Sequence, residues 1–143
     1  MRIRSIKPEF WTSEDVAALD ITTRLLFIGL WSYVDDNGAG RDVEKLIAAA
    51  LFPLDDDDPR ETLARVSRGL ATLAETGLIA RYAVNDYPYL HVTAWAEHQR
   101  IDKPAKPRYP LPTCEDAHPR EGLATVSRRS RDRSSGAVEQ WSS

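Results

Sequence analysis

The chain has 143 residues, 42% of them hydrophobic, and a formal net charge of −3. That suits one domain with a small core and excludes a membrane protein, because no run approaches the ~20 apolar residues of a transmembrane helix. The net acidity argues against a uniformly basic nucleic-acid binder. The single cysteine, Cys114, cannot close an internal disulfide and suits a reducing cytoplasm. Met1 to Lys7 is basic, but Pro8-Glu9 follows where a secretory signal needs an apolar run.

Ser13, followed by Glu14 and Asp15, predicts a short helix through about Leu19, with acids at its positive end. Asp20 or Thr22 can cap the next, "TRLLFIGLWSYVDD", which Asn37-Gly38 ends through positive-φ positions. Leu26, Leu30, Tyr33 and Val34 share one face, and Leu25, Phe27 and Trp31 widen the buried arc. Asp35 and Asp36 read as a solvated helix end. They do not open a calcium loop: with Asp35 as first ligand, Ala39, Val43 and Leu46 fall where oxygen ligands are required. The aspartate run Asp55 to Asp58 fails the same test. A third helix runs from Asp42, as its cap, to Leu51 and is stopped by Pro53.

The fourth helix is "PRETLARVSRGLATLAETG", with Pro59 at its first turn and Gly77 just past its end. Leu63, Val66, Leu70 and Leu73 form its core stripe, while Arg65, Arg68 and Thr72 share another side. The period then changes to that of strands: "LIARYAV", a turn from Asn85 to Pro88, and "YLHVTAW" make a β-hairpin. One short strand near Gly40-Arg41 can complete a small sheet. Prolines at 104, 107, 110, 112 and 119 bar helix and central strand. The body is therefore expected to span 1–112, with 113–143 a disordered tail rich in Ser and Arg. "PREGLATVSRR" in that tail echoes "PRETLARVSRG" at 59–69 but continues without an apolar stripe. Three packed helices, the last running into a hairpin, predict an α+β winged helix-turn-helix with the hairpin as wing.

Five blocks, "IRSIKPEFWTSEDVAAL", "TRLLFIGLWSYVDDNGAGR", "ALFPLDDD", "LAETGLIARY" and "HVTAWAEHQRIDKP", together resemble the N-terminal winged-helix domain of bacteriophage and prophage replication-initiation proteins, related to DnaD-like replisome organisers. The resemblance spans residues 3 to about 108. It implies a phage DNA-binding protein in the cytoplasm of a bacterial host, acting at an origin or operator. Host or phage replication proteins and further copies of the chain would be its partners. With only a short tail following, a stand-alone DNA-binding module is expected, without a helicase-loading region. Two alternatives stay open: a winged helix serving oligomerisation or protein interaction, and a transcriptional repressor.

Arg65, Arg68 and Thr72, on the last helix before the wing, are the candidates for base and phosphate contact; the competing reading is a solvated face with Glu61 pairing to Arg65. Arg100, Lys103, Lys106 and Arg108 follow the wing in a proline-stiffened segment suited to the DNA backbone. Arg2, Arg4 and Lys7 form a candidate arm for the same purpose, and Arg128, Arg129, Arg131 and Arg133 add basic charge in the tail. Asp55 to Asp58 oppose the DNA reading by repelling phosphate. His91, His98, Cys114 and His118 lack the spacing of a zinc site, and Trp11, Trp31 and Trp95 are expected in the core. No Walker loop, nucleophile elbow or HExxH occurs. No metal, no cofactor and no catalytic residue are expected.

Overall fold

The computed structural model describes residues 1–55 and 58–120. Asp56 and Asp57, the expected tail from 121 onward with its four arginines, and most of the repeated segment lie outside the described residues. The core is built around α3 (Ile21–Tyr33), whose first turn is closed by Asp20 Oδ1 accepting from the Thr23 N–H at 2.7 Å. Leu26, Phe27, Leu30 and Trp31 are buried on it, continuing into Val34. Leu25, expected in the buried arc, is instead 57% exposed. Before α3 come two single turns, α1 (Glu9–Thr12) and α2 (Glu14–Ala17), joined by Ser13, which caps α2 through Val16 N–H. Phe10 enters the core, stacking on Phe27 and meeting Trp31 edge-on. Its neighbour Trp11 points outward and is 65% exposed, so only Trp31 and Trp95 are the expected core anchors.

Next come α4 (Glu44–Leu51) and α5 (Pro59–Glu75), which pack on α3 and on each other. Val66, Leu70 and Leu73 are buried beneath α5. Gly69 lets that helix lie close to α3, since a Cβ there would stand 2.6 Å from Leu26 Cδ2. Gly77, at φ 81°, ends α5 as expected: Leu78 N–H donates to Leu73 O and Gly77 N–H to Ala74 O, the paired bonds of a Schellman motif.

The chain then forms β2 (Ile79–Val84) and β3 (Tyr87–Val92), antiparallel, with Val84 opposite Tyr87. Asn85 and Asp86 make the two-residue turn, both at positive φ (52° and 69°), the backbone that matches strand twist in tight hairpins. β1 (Ala39–Arg41) pairs with the free side of β3, and β4 (Ala117–Pro119) with the free side of β2. The strand order is β1-β3-β2-β4. Between β3 and β4 lies a short helix, α6 (Trp95–His98), where the sequence suggested continued strand. Ala94 at φ 54° breaks the extended run there. Among the described residues the architecture is α+β, with six helices and a four-stranded antiparallel sheet. No helix among them is long and apolar enough to cross a membrane.

Two expectations need correction. The structured body passes the expected boundary at 112, because β4 supplies backbone partners to β2; before it, Pro110 O accepts from the Tyr82 hydroxyl at 2.6 Å. Asp42 does not cap α4; Val43 holds that position without a side-chain bond. The Asp42 carboxylate is fully buried and accepts two bonds from Arg81, Nε to Oδ2 at 2.6 Å and Nη2 to Oδ1 at 3.0 Å. Arg120 Nη1 also donates to Oδ2, and Glu44 lies 3.6 Å from Arg81. The Arg81 side chain is only 3% exposed, so its charge is taken out of water and needs this acid.

Candidate functional site

The pattern that buries Val66, Leu70 and Leu73 turns Arg65 and Arg68 outward, their side chains 53% and 65% exposed. Both point at one oxygen of Glu61: Arg65 Nε lies 3.3 Å and Arg68 Nη2 3.4 Å from Oε1. The expected pair at four-residue spacing is present, and Arg68 shares it. Thr72 is half-buried and its hydroxyl donates to Arg68 O at 3.0 Å, a bond inside the helix. Asp55, the described acid before α5 other than its cap Asp58, is exposed, and Asp58 accepts from Arg60 N–H.

The second basic region is organised from Asp35 and Asp36, and here the sequence reading is overturned. Both side chains are buried, not solvated. Asp35 Oδ1 accepts from Asn37 N–H and Ala39 N–H, shaping the turn into β1, and its Oδ2 accepts from Arg108 N–H at 3.0 Å. Only Gly38 of the turn has positive φ; Asn37 does not. Asp36 Oδ2 accepts from Ala105 N–H at 2.9 Å. That bond, opposed by burial and reinforced by Arg4 and Arg2, holds the Asp36 carboxyl below the usual carboxylate range. Two adjacent acids thus tie the segment after α6 to the end of α3 by its backbone. Lys103, Lys106 and Arg108 are left facing solvent. Arg100 is exposed and lies 3.7 Å from Asp102. Arg108 lies over the Tyr109 ring at 5.8 Å.

The N-terminal arm meets the same acids, but its cations differ in what they can still do. Arg4 is only 7% exposed and donates to Trp31 O, Val34 O, Asp35 O and Asp36 Oδ1 while stacking on Trp95. It closes the carbonyl end of α3, so it leaves the set of residues open to phosphate. Arg2 is half-exposed and 3.4 Å from Asp36. Lys7 donates to Glu97 O at 2.8 Å and remains exposed. Gln99 fixes the arm to the end of α6 through two bonds with the Ser5 backbone.

These two regions sit at opposite ends of α3. Gly69 of α5 lies against Thr23 and Leu26, whereas the arm holds Trp31 O and Val34 O, a step of about 12 Å along the axis. The hairpin tip between them in sequence, Asn85-Asp86, carries no cation. His91 Nε2 bonds to Asn37 O, and burial pushes its pKa below the ordinary value, as it does for His98 against Phe27 and Trp31. Among the described residues no group of three or more His, Cys, Asp or Glu is placed to hold a metal ion.

The sequence reading missed Asp35, Asp36 and Asp42 as buried anchors. Apart from the local bonds of Asp35 to Asn37 and Ala39 N–H, their partners stand 32 to 78 residues away, beyond any local pattern. Only Arg81, a lone arginine inside an apolar strand, signalled that a buried acid was required. No family model, no curated protein and no solved structure matches the chain.

Proposed function

We propose that the chain is a duplex DNA-binding protein of the winged-helix type, serving replication initiation at a phage origin or operator. In this reading α3, α4 and α5 are the three-helix unit, α5 is the reading helix, and the β2–β3 hairpin is the wing. The observation that carries it is the outward pair Arg65 and Arg68 on the helix that leads directly into the hairpin. Arginines there reach guanine edges or phosphates in the major groove. The hairpin tip lacks a cation, so phosphate contact falls to Arg2, Lys103, Lys106 and Arg108. Their segment is pre-ordered by Asp35 and Asp36, so little conformational entropy is lost on binding.

The test is binding to a random-sequence duplex pool across a salt series. Association at low salt is expected, weakening as salt rises. Replacing Arg100, Lys103, Lys106 and Arg108 with Gln should lower the slope of log K against log salt by about 0.9 for each phosphate no longer neutralised. Absence of binding at the lowest salt would overturn the reading. A protein-interaction role has one observation in its favour. Ile21 and Leu25 are exposed together with Leu54, and Leu25 lines a cleft of about 120 Å³ beside Arg65 and Phe52. Self-association that depends on Leu25, without DNA binding, would favour that role.

A further inference from the structure

We infer that the outer face of the sheet is a platform for single-stranded nucleic acid, with Tyr87, Tyr89 and Tyr109 stacking on unpaired bases and Arg41 and Arg108 meeting phosphates. It stands apart from duplex reading by α5. Alternation along the strands divides the sheet into two faces. Leu90 and Val92 of β3 turn into the core, so Tyr87 and Tyr89 turn the other way. Arg41 and Tyr82 stand directly opposite Tyr89 on its two neighbouring strands, and direct partners share a face. Tyr82 is fully buried and forms the floor. Tyr89 lies 6.0 Å from it between ring centroids, Tyr109 lies 6.2 Å from Tyr89, and Arg108 covers Tyr109. Tyr33 closes the edge: its hydroxyl donates to Arg41 O at 2.7 Å. Burial, and then Tyr109 beside it, push its pKa up to about 12. All five tyrosines of the chain gather here.

The surface is open to a ligand. Tyr87 is 61% exposed, Tyr89 and Tyr109 are half-buried, and Arg41 and Arg108 are exposed. Tyrosine rings stack on any base whose face is free, and a duplex hides those faces. Both charges flanking the rings are cationic, which favours a phosphate backbone over a protein partner. Asp42, whose charge reaches Tyr33, is buried against Arg81 and Arg120. Asp86 precedes Tyr87 at the hairpin tip and repels phosphate there, so the backbone runs by Arg41 and Arg108 while bases reach Tyr87.

The experiment follows fluorescence anisotropy of labelled oligo-dT, oligo-U and a blunt duplex with the full chain. Binding to either oligomer supports the platform, and the tighter one names its source as DNA or RNA. Tyr87→Leu, at an exposed position, should weaken oligomer binding by about five- to ten-fold, the lower end of what a lost base–aromatic stack costs. Tyr87→Phe, which keeps the ring, should stay within about two-fold of the parent. Arg41→Gln with Arg108→Gln should lower the slope of log K against log salt by about 1.4, at about 0.7 for each phosphate of a single strand. Arg65→Ala/Arg68→Ala should leave oligomer affinity unchanged. Oligomer binding that survives both the tyrosine and the arginine changes, or that is lost with Arg65 and Arg68, would overturn the inference. So would duplex binding without oligomer binding, which leaves the α5 reading standing. Oligomer binding without duplex binding would sink the α5 reading alone. Self-association that disappears in Tyr87→Leu, with no oligomer bound, would make the face a protein interface and overturn the platform.

Discussion

Two ionic networks in this molecule use the same chemistry in opposite settings. Around Asp42 an acid meets Arg81 and Arg120 with its side chain wholly buried, and Arg81 is 3% exposed. Around Glu61 an acid meets Arg65 and Arg68 with all three side chains about half-exposed or more. Burial decides what each can do. In the first, removing one partner strands a charge without water, so the network can only hold β1, β2 and the segment after β4 together. In the second, water or a ligand can replace the partner at little cost, so the arginines are free to exchange it for another anion. The Arg4–Asp36 contact belongs with the first kind, which is why a basic N-terminal arm yields only part of its charge to the surface.

The largest stability effect should come from breaking the buried network. Asp42→Ala, which leaves Arg81 and Arg120 without their acid, should cost about 3–5 kcal/mol in denaturant unfolding. A loss below about 1 kcal/mol, the range of exposed pairs, would erase the distinction between the two networks. Arg4→Ala comes next. It removes four bonds to carbonyls and a carboxylate, and about 2–3 kcal/mol should be lost, in the range of hydrogen bonds to charged groups. Amide exchange at Ala105 and Arg108 should accelerate in that variant as the paired acids lose their fixed position.

Acid should act on the buried side alone. Burial lowers the folded-state pKa of His91 and His98 below the ordinary 6.5. The unfolded chain therefore takes up protons first as pH falls. The stability these two groups provide is complete above 6.5 and is lost as pH drops through their folded values. Asp36, held below the ordinary 3.8, adds a second loss at still lower pH, when its protonation loosens the arm and the segment after α6. Urea midpoints at about pH 7.5 and about pH 5.5 should differ, with the lower pH less stable, and substituting His98 by Gln should narrow the gap. Smallest of all, Glu61→Gln should change the melting temperature little, because exposed pairs contribute about 0–1 kcal/mol.

The three main helices, the hairpin and the Gly77 stop were legible because each rests on local signals: a cap, an apolar period, a two-residue turn. The pairing of β4 was not legible, since three residues among prolines carry no strand pattern, and β2 becomes central only once the whole chain is folded. The acids were misread for the same reason. Asp35 and Asp36 look like a wet helix end until Arg4, Ala105 and Arg108 arrive from far along the chain. Leu25 fits an apolar period and Trp11 is of a usually buried type, yet both face outward, since neither signal says where the packing neighbour stops. Arg65 and Arg68 were placed on an outward side of α5 by their offset from the Val66, Leu70 and Leu73 stripe, and the structure has them there.

The most direct test of that division of labour is paired measurement on Arg65→Ala/Arg68→Ala: affinity for the enriched duplex and for a scrambled one, with the unfolding midpoint on the same sample. Stability should stay within about 1 kcal/mol of the parent, while about 1–3 kcal/mol of discrimination between the two duplexes disappears. A variant that keeps its preference while losing several kcal/mol of stability would contradict this, because the exposed arginines would then be scaffold and the reader would lie elsewhere.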